Sequence, residues 1–307
     1  MTPLSGTRGG QAGVGGVGER MIRLIGRLGL ALIAFAVAIL VYGYAEATRA
    51  PAVVRYTVRS PGWTAPPITI ALLSDTHAAL PDMPPARLAR VCDAVSALRP
   101  DLVLLAGDYV SSRVGQGNRV PPAAATAPFG HCRARLGVFA VLGNHDMRPP
   151  VRGADVATGL QRAGVSVLRN AAVRVGGFWI AGVDNGDYGN ADVDRALARV
   201  PAGAPLLFVM HNPDRFADLP ARRVGLSVAG HTHGGQVAPF GPIFLPIVHR
   251  EWARGLVWDR GRPMVVTSGV GASFVPIRIG VPPEIALIRL EGAQREPAAS
   301  AAPPPPT

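Results

Sequence analysis

Apolar and polar positions follow two rhythms along this chain. Ile68–Leu73, Leu102–Ala106, Val138–Leu142, Phe178–Ala181, Leu206–Met210 and Leu226–Ala229 are short apolar runs bounded by polar or glycine residues. Their length and lack of internal polar positions predict strands buried on both faces. Between the first two, Leu88, Val91, Cys92, Val95 and Leu98 recur at steps of three and four, one face of an amphipathic helix. Strands alternating with helical segments predict an α/β layered domain. Gly115–Pro128, rich in Gly, Pro and Ala, reads as a surface loop or a poor helix.

The N-terminal part has a different pattern. Leu28–Ala45 is eighteen residues without a charge, about 27 Å as a helix, with no polar face to explain it as a soluble core helix. Tyr42 and Tyr44 stand near one end, where an interfacial belt would lie. Arg20, Arg23 and Arg27 precede it closely, which predicts a cytoplasmic N-terminus and the remainder of the chain on the other side. Ala45-Glu46-Ala47 offers a signal-peptidase pattern, but the apolar run exceeds an ordinary signal h-region, so a retained anchor is the reading adopted. The organisation expected is a flexible cytoplasmic N-terminus over 1–23, a transmembrane anchor over 24–47 and a Pro-containing connector over 48–67. A catalytic domain over 68–290 and a disordered Ala/Pro tail over 291–307 follow.

Charge changes this picture less than its size suggests. The formal net charge is +11, which by itself favours polyanions. All 31 basic residues are arginine, scattered singly without a run that would track a phosphate backbone, so nucleic acid is not an expected partner. Two cysteines, Cys92 and Cys132, are too few for a disulfide framework or a thiolate metal site. A single bridge is open to them in an oxidising compartment, but the position of Cys92 on the apolar stripe favours a small buried hydrophobe.

Chemistry enters at the strand ends. Asp75 follows the first run, Asp108 the second, Asn144 the third, His211 the fifth and His231 the sixth. In α/β sheets ligands bind beyond the carboxyl ends of the strands, and Gly107, Gly143 and Gly230 permit the sharp turns that direct side chains inward. Carboxylate, amide and imidazole donors without any thiolate suit hard and borderline divalent metals: Mn, Fe, Zn, Ni or Co. The ligand count fits two ions. Asp75, His77, Asp108 and His233 would hold one, and Asp108, Asn144, His211 and His231 the other, with the Asp108 carboxylate as bridge. Such a pair can bind phosphoryl oxygens and hold a hydroxide for in-line attack.

Five motifs stand in order: Asp75-x-His77, Gly107-Asp108, Gly143-Asn144-His145-Asp146, His211, and Gly230-His231-Thr232-His233. In this they resemble the calcineurin-like metallophosphoesterase family over residues 68 to 290. His231-Thr232-His233-Gly234-Gly235-Gln236, Gly241–Pro246, Thr267–Gly271 and Pro282–Ile285 resemble its bacterial membrane-anchored branch of the YaeI/YkuE type. The resemblance implies a four-layer α/β/β/α sandwich, preceded here by one transmembrane helix, with a dinuclear metal centre at one edge. It implies the ligand set above, makes His145 the group that protonates or stabilises the leaving oxygen, and gives Asp146 the orienting of its imidazole.

The expected function is therefore a membrane-anchored, metal-dependent phosphodiesterase or phosphomonoesterase acting by metal-bound hydroxide. Its expected location is the bacterial cytoplasmic membrane, with the catalytic domain on the periplasmic or extracytoplasmic side. Two other readings stand beside it: a pyrophosphatase of a lipid-linked UDP-sugar or other envelope lipid, and a non-catalytic metal-containing membrane-associated module. His131, His249, Asp184, Asn185, Asn212 and Asp214 are read as surface or turn residues, Gln236 as packing against its turn or facing substrate, and Trp63, Trp179, Trp252 and Trp258 as core or interfacial aromatics.

Overall fold

The computed structural model describes residues 14–111, 113, 119–220, 224–241 and 249–293. The chain divides into two units, residues 1–43 and 44–307. A helix, α1 (Val14–Thr48), occupies the first and runs into the second. Its stretch Glu19–Thr48 is long and apolar enough to cross a membrane. The helix begins within the Gly-rich stretch expected to be flexible. Helical hydrogen bonding extends backwards from the apolar run, through a turn carrying the Glu19–Arg23 pair at 3.1 Å. Residues 1–13 of that N-terminal segment lie outside the described residues, as do 115–118 of the expected loop, 242–246 of the branch motif and 294–307 of the expected tail.

In chain order the strands of the second unit are β1 (Ala52–Ser60), β2 (Ile68–Leu73), β3 (Leu102–Leu105), β4 (Val138–Ala140), β5 (Ser166–Val167) and β6 (Ala171–Val175). They continue as β7 (Phe178–Gly182), β8 (Leu206–Val209), β9 (Leu226–Ala229), β10 (Gly255–Asp259), β11 (Arg262–Val266) and β12 (Glu284–Gly292). The helices are α2 (Pro85–Ala97), α3 (Pro122–Thr126), α4 (Asn144–Met147), α5 (Gly153–Arg162) and α6 (Val193–Leu197). Two six-stranded sheets result, ordered β1-β12-β2-β3-β4-β5 and β10-β11-β9-β8-β7-β6. In the first, β2 to β5 are parallel; in the second, β7, β8, β9 and β11 are parallel, with β6 and β10 antiparallel at the edges.

The period-two pleat of the strands sorts their side chains into layers. Ile70, Leu72, Leu104 and Val141 of the first sheet meet Ile180, Leu207, Val209, Val228 and Val265 of the second in one core. Ala71, Leu73, Val103 and Leu105 face the other way, onto Leu88, Val91, Cys92 and Val95 of α2 and Val156 and Leu160 of α5. On the outer face of the second sheet Phe208, Met210 and Val266 pack against Leu197, Phe216 and Trp252. This is the expected helix, sheet, sheet, helix order, although short helical turns make up much of the last layer.

Two expectations change. Residues 52–60, within the expected connector, form strand β1, which pairs in parallel with β12 through nine positions from Ala52↔Glu284 to Ser60↔Gly292. The strand pattern was hidden because β1 is an edge strand with exposed Arg55, Thr57 and Arg59, so its apolar content is low. β12 accordingly ends at Gly292 rather than 290, and Glu291 pairs with Arg59 at 2.8 Å. The cysteines also differ from the favoured reading. Cys92 on α2 is buried as expected, but it is bonded to Cys132, forty residues away in sequence.

Candidate metal centre

Strands β2, β3, β4, β8 and β9 each deliver one polar loop to the same cluster, and the backbone there is strained. Among the described residues ten non-glycine positions have positive φ; five of them are Asp75 (55°), His77 (43°), Asp108 (58°), His231 (71°) and His233 (51°). Left-handed backbone costs about 1–3 kcal/mol per residue and persists only where the surroundings impose it. Here the loops impose it on one another. Asp75 N–H donates to the Gly107 carbonyl at 2.9 Å and His77 N–H to that of Asp108 at 3.0 Å. The loop after β11 closes the other side, with Val270 N–H on the Ser74 carbonyl and Gly271 N–H on that of Asp75. Gly143 is required by proximity rather than φ, because a Cβ there would collide with the Asp108 carboxylate.

All seven expected ligands converge. Asp75, His77 and His233 form one group, Asp108, His211 and His231 a second, and His77, Asp108 and His145 a third between them, the ligand atoms within each lying no more than 4.8 Å apart. Oδ2 of Asp108 is 3.6 Å from Nε2 of His77 and 3.3 Å from Nε2 of His211. Its Oδ1 accepts from the His145 backbone N–H at 2.8 Å, which fixes the carboxylate plane. Asn144 Oδ1 stands 2.9 Å from His211 Nε2 and 3.1 Å from His231 Nδ1. The His211 Nδ1 faces the Ala106 carbonyl at 2.7 Å, leaving Nε2 directed at the cluster.

Electrostatics divides these groups into donors of lone pairs and one ion pair. Burial acts to raise the Asp108 carboxyl, but the charge and hydrogen bond of His211, with His77 and His145, hold it well below the usual range. Burial likewise works to lower His211, and Asp108 overcomes it, pushing the imidazole up to about 10. Burial drives His77 and His233 well below their ordinary value, and burial with the His211 charge takes His231 down to about 4. The Asp75 carboxyl is pushed up to about 6 by burial, with His211 opposing and Asp108 adding.

The donor set fits divalent cations. His77 Nε2 and His233 Nε2 face each other at 3.0 Å, His211 Nε2 and His231 Nδ1 at 3.1 Å, and Asp75 Oδ1 is buried without a hydrogen-bond partner. Neutral imidazoles and carboxylates aimed at common points, with an acceptor oxygen unsatisfied, leave positive charge as the missing component.

Asp146 has a different place from the one expected. Its two oxygens accept backbone N–H bonds from Asp108 (2.8 Å), Tyr109 (2.8 Å), Gly143 (2.9 Å) and Val110 (3.1 Å). With both oxygens committed to the backbone, it ties the Asp108 loop to the Asn144–His145 loop instead of steering the His145 ring. Gln236 also resolves: its side chain bonds the backbone of Ser273 and Val275. His131 pairs with Asp93 at the surface, and His249 stacks on Trp252.

Arg278 supports the site from outside the five motifs. Fully buried, it donates to the carbonyls of Ser268, Gly269, Gly271 and Val281 and so fixes the loop against Asp75. A lone arginine between Ile277 and Ile279 carries no motif, and only its burial reveals the role.

Comparison with known proteins agrees with this geometry. Residues 68–235 match the family described as calcineurin-like phosphoesterase. A Danio rerio protein named transmembrane protein with metallophosphoesterase domain is 31% identical over 290 residues, 86% of this chain and 62% of that one. A Helicobacter pylori metallophosphoesterase is 27% identical over 208 residues, 65% of this chain and 54% of its own. The phosphodiesterase YaeI of Escherichia coli is 30% identical over 242 residues, 74% and 83%. The chain thus spans less than two thirds of the length of the first two relatives.

Proposed function

The chain belongs to the calcineurin-like phosphoesterase family; from that premise we propose that it is a metal-dependent phosphoesterase, hydrolysing phosphodiester or phosphomonoester bonds at a two-ion centre. Asp75, His77, Asp108 and His233 would hold one ion, and Asp108, Asn144, His211 and His231 the other. When bound, the ions supply Lewis acidity, polarising phosphoryl oxygens and acidifying a water. The chain's own residues do the rest. Asp108 holds the two ligand groups in register, and His145, whose Nε2 is 4.0 Å from Asp108 Oδ2, gives a proton to the leaving oxygen. Asp146 positions Asp108 through its backbone N–H, and the loop that carries His145 through that of Gly143.

The observation that carries this reading is the single carboxylate oxygen of Asp108 lying between imidazoles of both groups. Metal content and turnover of Asp108→Ala test it. The wild type should hold two ions per chain and cleave a chromogenic phosphodiester, and the variant should lose both properties. A variant retaining two ions and full turnover would defeat the proposal.

Anchoring follows from α1. We propose that it crosses the bacterial cytoplasmic membrane with the catalytic unit outside the cytoplasm. Support comes from Arg20, Arg23 and Arg27 ahead of the apolar run and from the Cys92–Cys132 bridge, which belongs to an oxidising compartment. A topology reporter fused after Ala293 should signal outside the cytoplasm; a cytoplasmic signal would reverse the orientation.

A further inference from the structure

Phe274 is held in a conformation that folding alone does not reward. Its φ is 46°, in the left-handed region that bulky side chains avoid, and its ring is 77% exposed. Buried aromatics repay backbone strain by packing; this one has little packing to offer. Yet the segment is braced on both sides of it. The Gln236 side chain accepts from Ser273 N–H at 2.7 Å and donates to the carbonyls of Ser273 and Val275 at 3.2 and 3.1 Å. Gln236 is itself in the left-handed region, at φ 51°. Two strained residues therefore cooperate to present one exposed aromatic ring.

The ring is presented at the mouth of the metal centre. Phe274 lines a cleft of about 520 Å³ that also contains Asp108, Asn144, His145 and His231. Its ring centroid lies 6.3 Å from that of His145, edge to face. Val275 and Val237, half exposed, line the same cleft. The cleft also has polar walls, to which Arg148, Asp187 and Asn212 contribute. Phe274 thus brings the apolar wall up to the imidazole assigned to the leaving oxygen, with Arg148 of the polar wall also close enough to act on it. A group attached to that oxygen can reach the Phe274 ring.

We infer that Phe274 is a specificity-determining residue that receives an apolar leaving group, so that the preferred substrates are phosphoesters of an aryl or alkyl alcohol rather than of a small hydrophilic one. The inference rests on the phosphoesterase reading and on the place of His145 in it. The bond broken is the P–O bond to that alcohol. Water supplies the oxygen that phosphorus gains, and the alcohol departs with a proton from His145. Phe274 takes no part in the proton transfer; it contributes apolar contact that a hydrophilic alcohol cannot use.

The test uses the full chain in detergent, loaded with manganese. Three methyl phosphodiesters release 4-nitrophenol, octanol or glycerol, and each released alcohol is quantified. Phe274→Ala should lower the kcat/KM ratio of an apolar to the glycerol leaving group by about tenfold, with the change chiefly in KM. An octanol-to-glycerol ratio unchanged by the substitution overturns the inference, because a residue that merely steadied His145 would slow these two alike through kcat and 4-nitrophenol release least. Phe274→Leu separates the two apolar classes: retention of the octyl preference with loss of the nitrophenyl preference identifies an alkyl group, and loss of both an aromatic one. Phe274→Gly relieves the left-handed strain and should keep or raise Tm while losing selectivity; a marked fall in Tm would show a structural role instead. Failure of the wild type to cleave any of the three, or 4-nitrophenyl phosphate, with any divalent ion would remove the phosphoesterase reading, and this inference with it.

Discussion

Removing the Cys92–Cys132 crosslink is the most calculable perturbation of this fold. The bridge joins α2 to the segment entering β4 across forty residues, and in the chain-entropy account a loop of that size restricts the unfolded ensemble by about 4 kcal/mol at 25 °C. For a unit of roughly 250 residues each kcal/mol moves Tm by about 2–4 °C, so reduction should lower it by about 8–16 °C. Both sulfurs sit in the layer between α2, α5 and the first sheet. Reduction leaves their volume in place and isolates the crosslink, whereas alanine substitution adds small cavities. The assay is thermal unfolding of the detergent-solubilised chain with and without a phosphine reductant, beside the Cys92→Ala/Cys132→Ala double variant. Wild type should fall on reduction to slightly above the double variant, which should ignore the reductant. Two titratable thiols in the unreduced, denatured protein, or a Tm indifferent to reductant, would refute both the bridge and the compartment argued from it.

Three further outcomes follow from the site and its supports. His145→Ala should retain bound metal and lose about 10²–10⁴ in kcat, with the smallest loss for acidic leaving groups; a leaving-group series reads this, and an equal loss throughout contradicts a proton-donor role. Asp146→Asn places an amide among four backbone N–H donors. It should destabilise the unit by about 3 kcal/mol and reduce metal occupancy, both measurable by unfolding and metal analysis; normal occupancy would show that the two loops do not need this tie. Asp101 accepts from the Thr69 N–H at 2.8 Å, and this bond, with Arg135, holds its carboxyl below the ordinary value. A depressed pKa gives stability that is present above the unfolded value near 4 and lost as pH falls through the folded one. Asp101→Asn should therefore lower Tm at pH 7, and the difference from wild type should shrink below about pH 4; a difference that grows in acid would reverse the sign.

The parts of this protein written in local pattern were legible in the sequence, and the parts written in long-range contact were not. Ile68–Leu73 and Leu226–Ala229 are strands because central positions bury both faces, and an uninterrupted apolar run states that directly. Edge strand β1 buries only part of one face, so its arginines dilute the same signal until β12, more than two hundred residues later, supplies the pairing. The ligand motifs were legible because each needs a fixed residue type at a strand end. The roles of Asp146, Arg278 and Gln236 were not, since each acts on backbone atoms of remote loops, and backbone atoms have no sequence identity. Cys132 shows the same limit: nothing near it in sequence indicates that α2 lies within bonding distance.

Metal and fold are coupled through that remote network. Among the described residues the left-handed backbone at Asp75, His77, Asp108, His231 and His233 is held by the loop hydrogen bonds, by close packing of the loops and by the charge of His211 against Asp108. Two divalent ions would replace that proton and neutralise the carboxylates, binding the folded chain and not the unfolded one. At a hundredfold excess over the dissociation constant each ion adds about 2.7 kcal/mol, or about 5–11 °C in Tm for a unit of this size. Chelation should therefore lower Tm as well as abolish turnover, and manganese should restore both along the same concentration curve. Turnover lost to chelator while Tm stays fixed would mean that the hydrogen bonds of Asp146 and Arg278 alone maintain the strained loops, leaving the ions as passengers in a site already rigid without them.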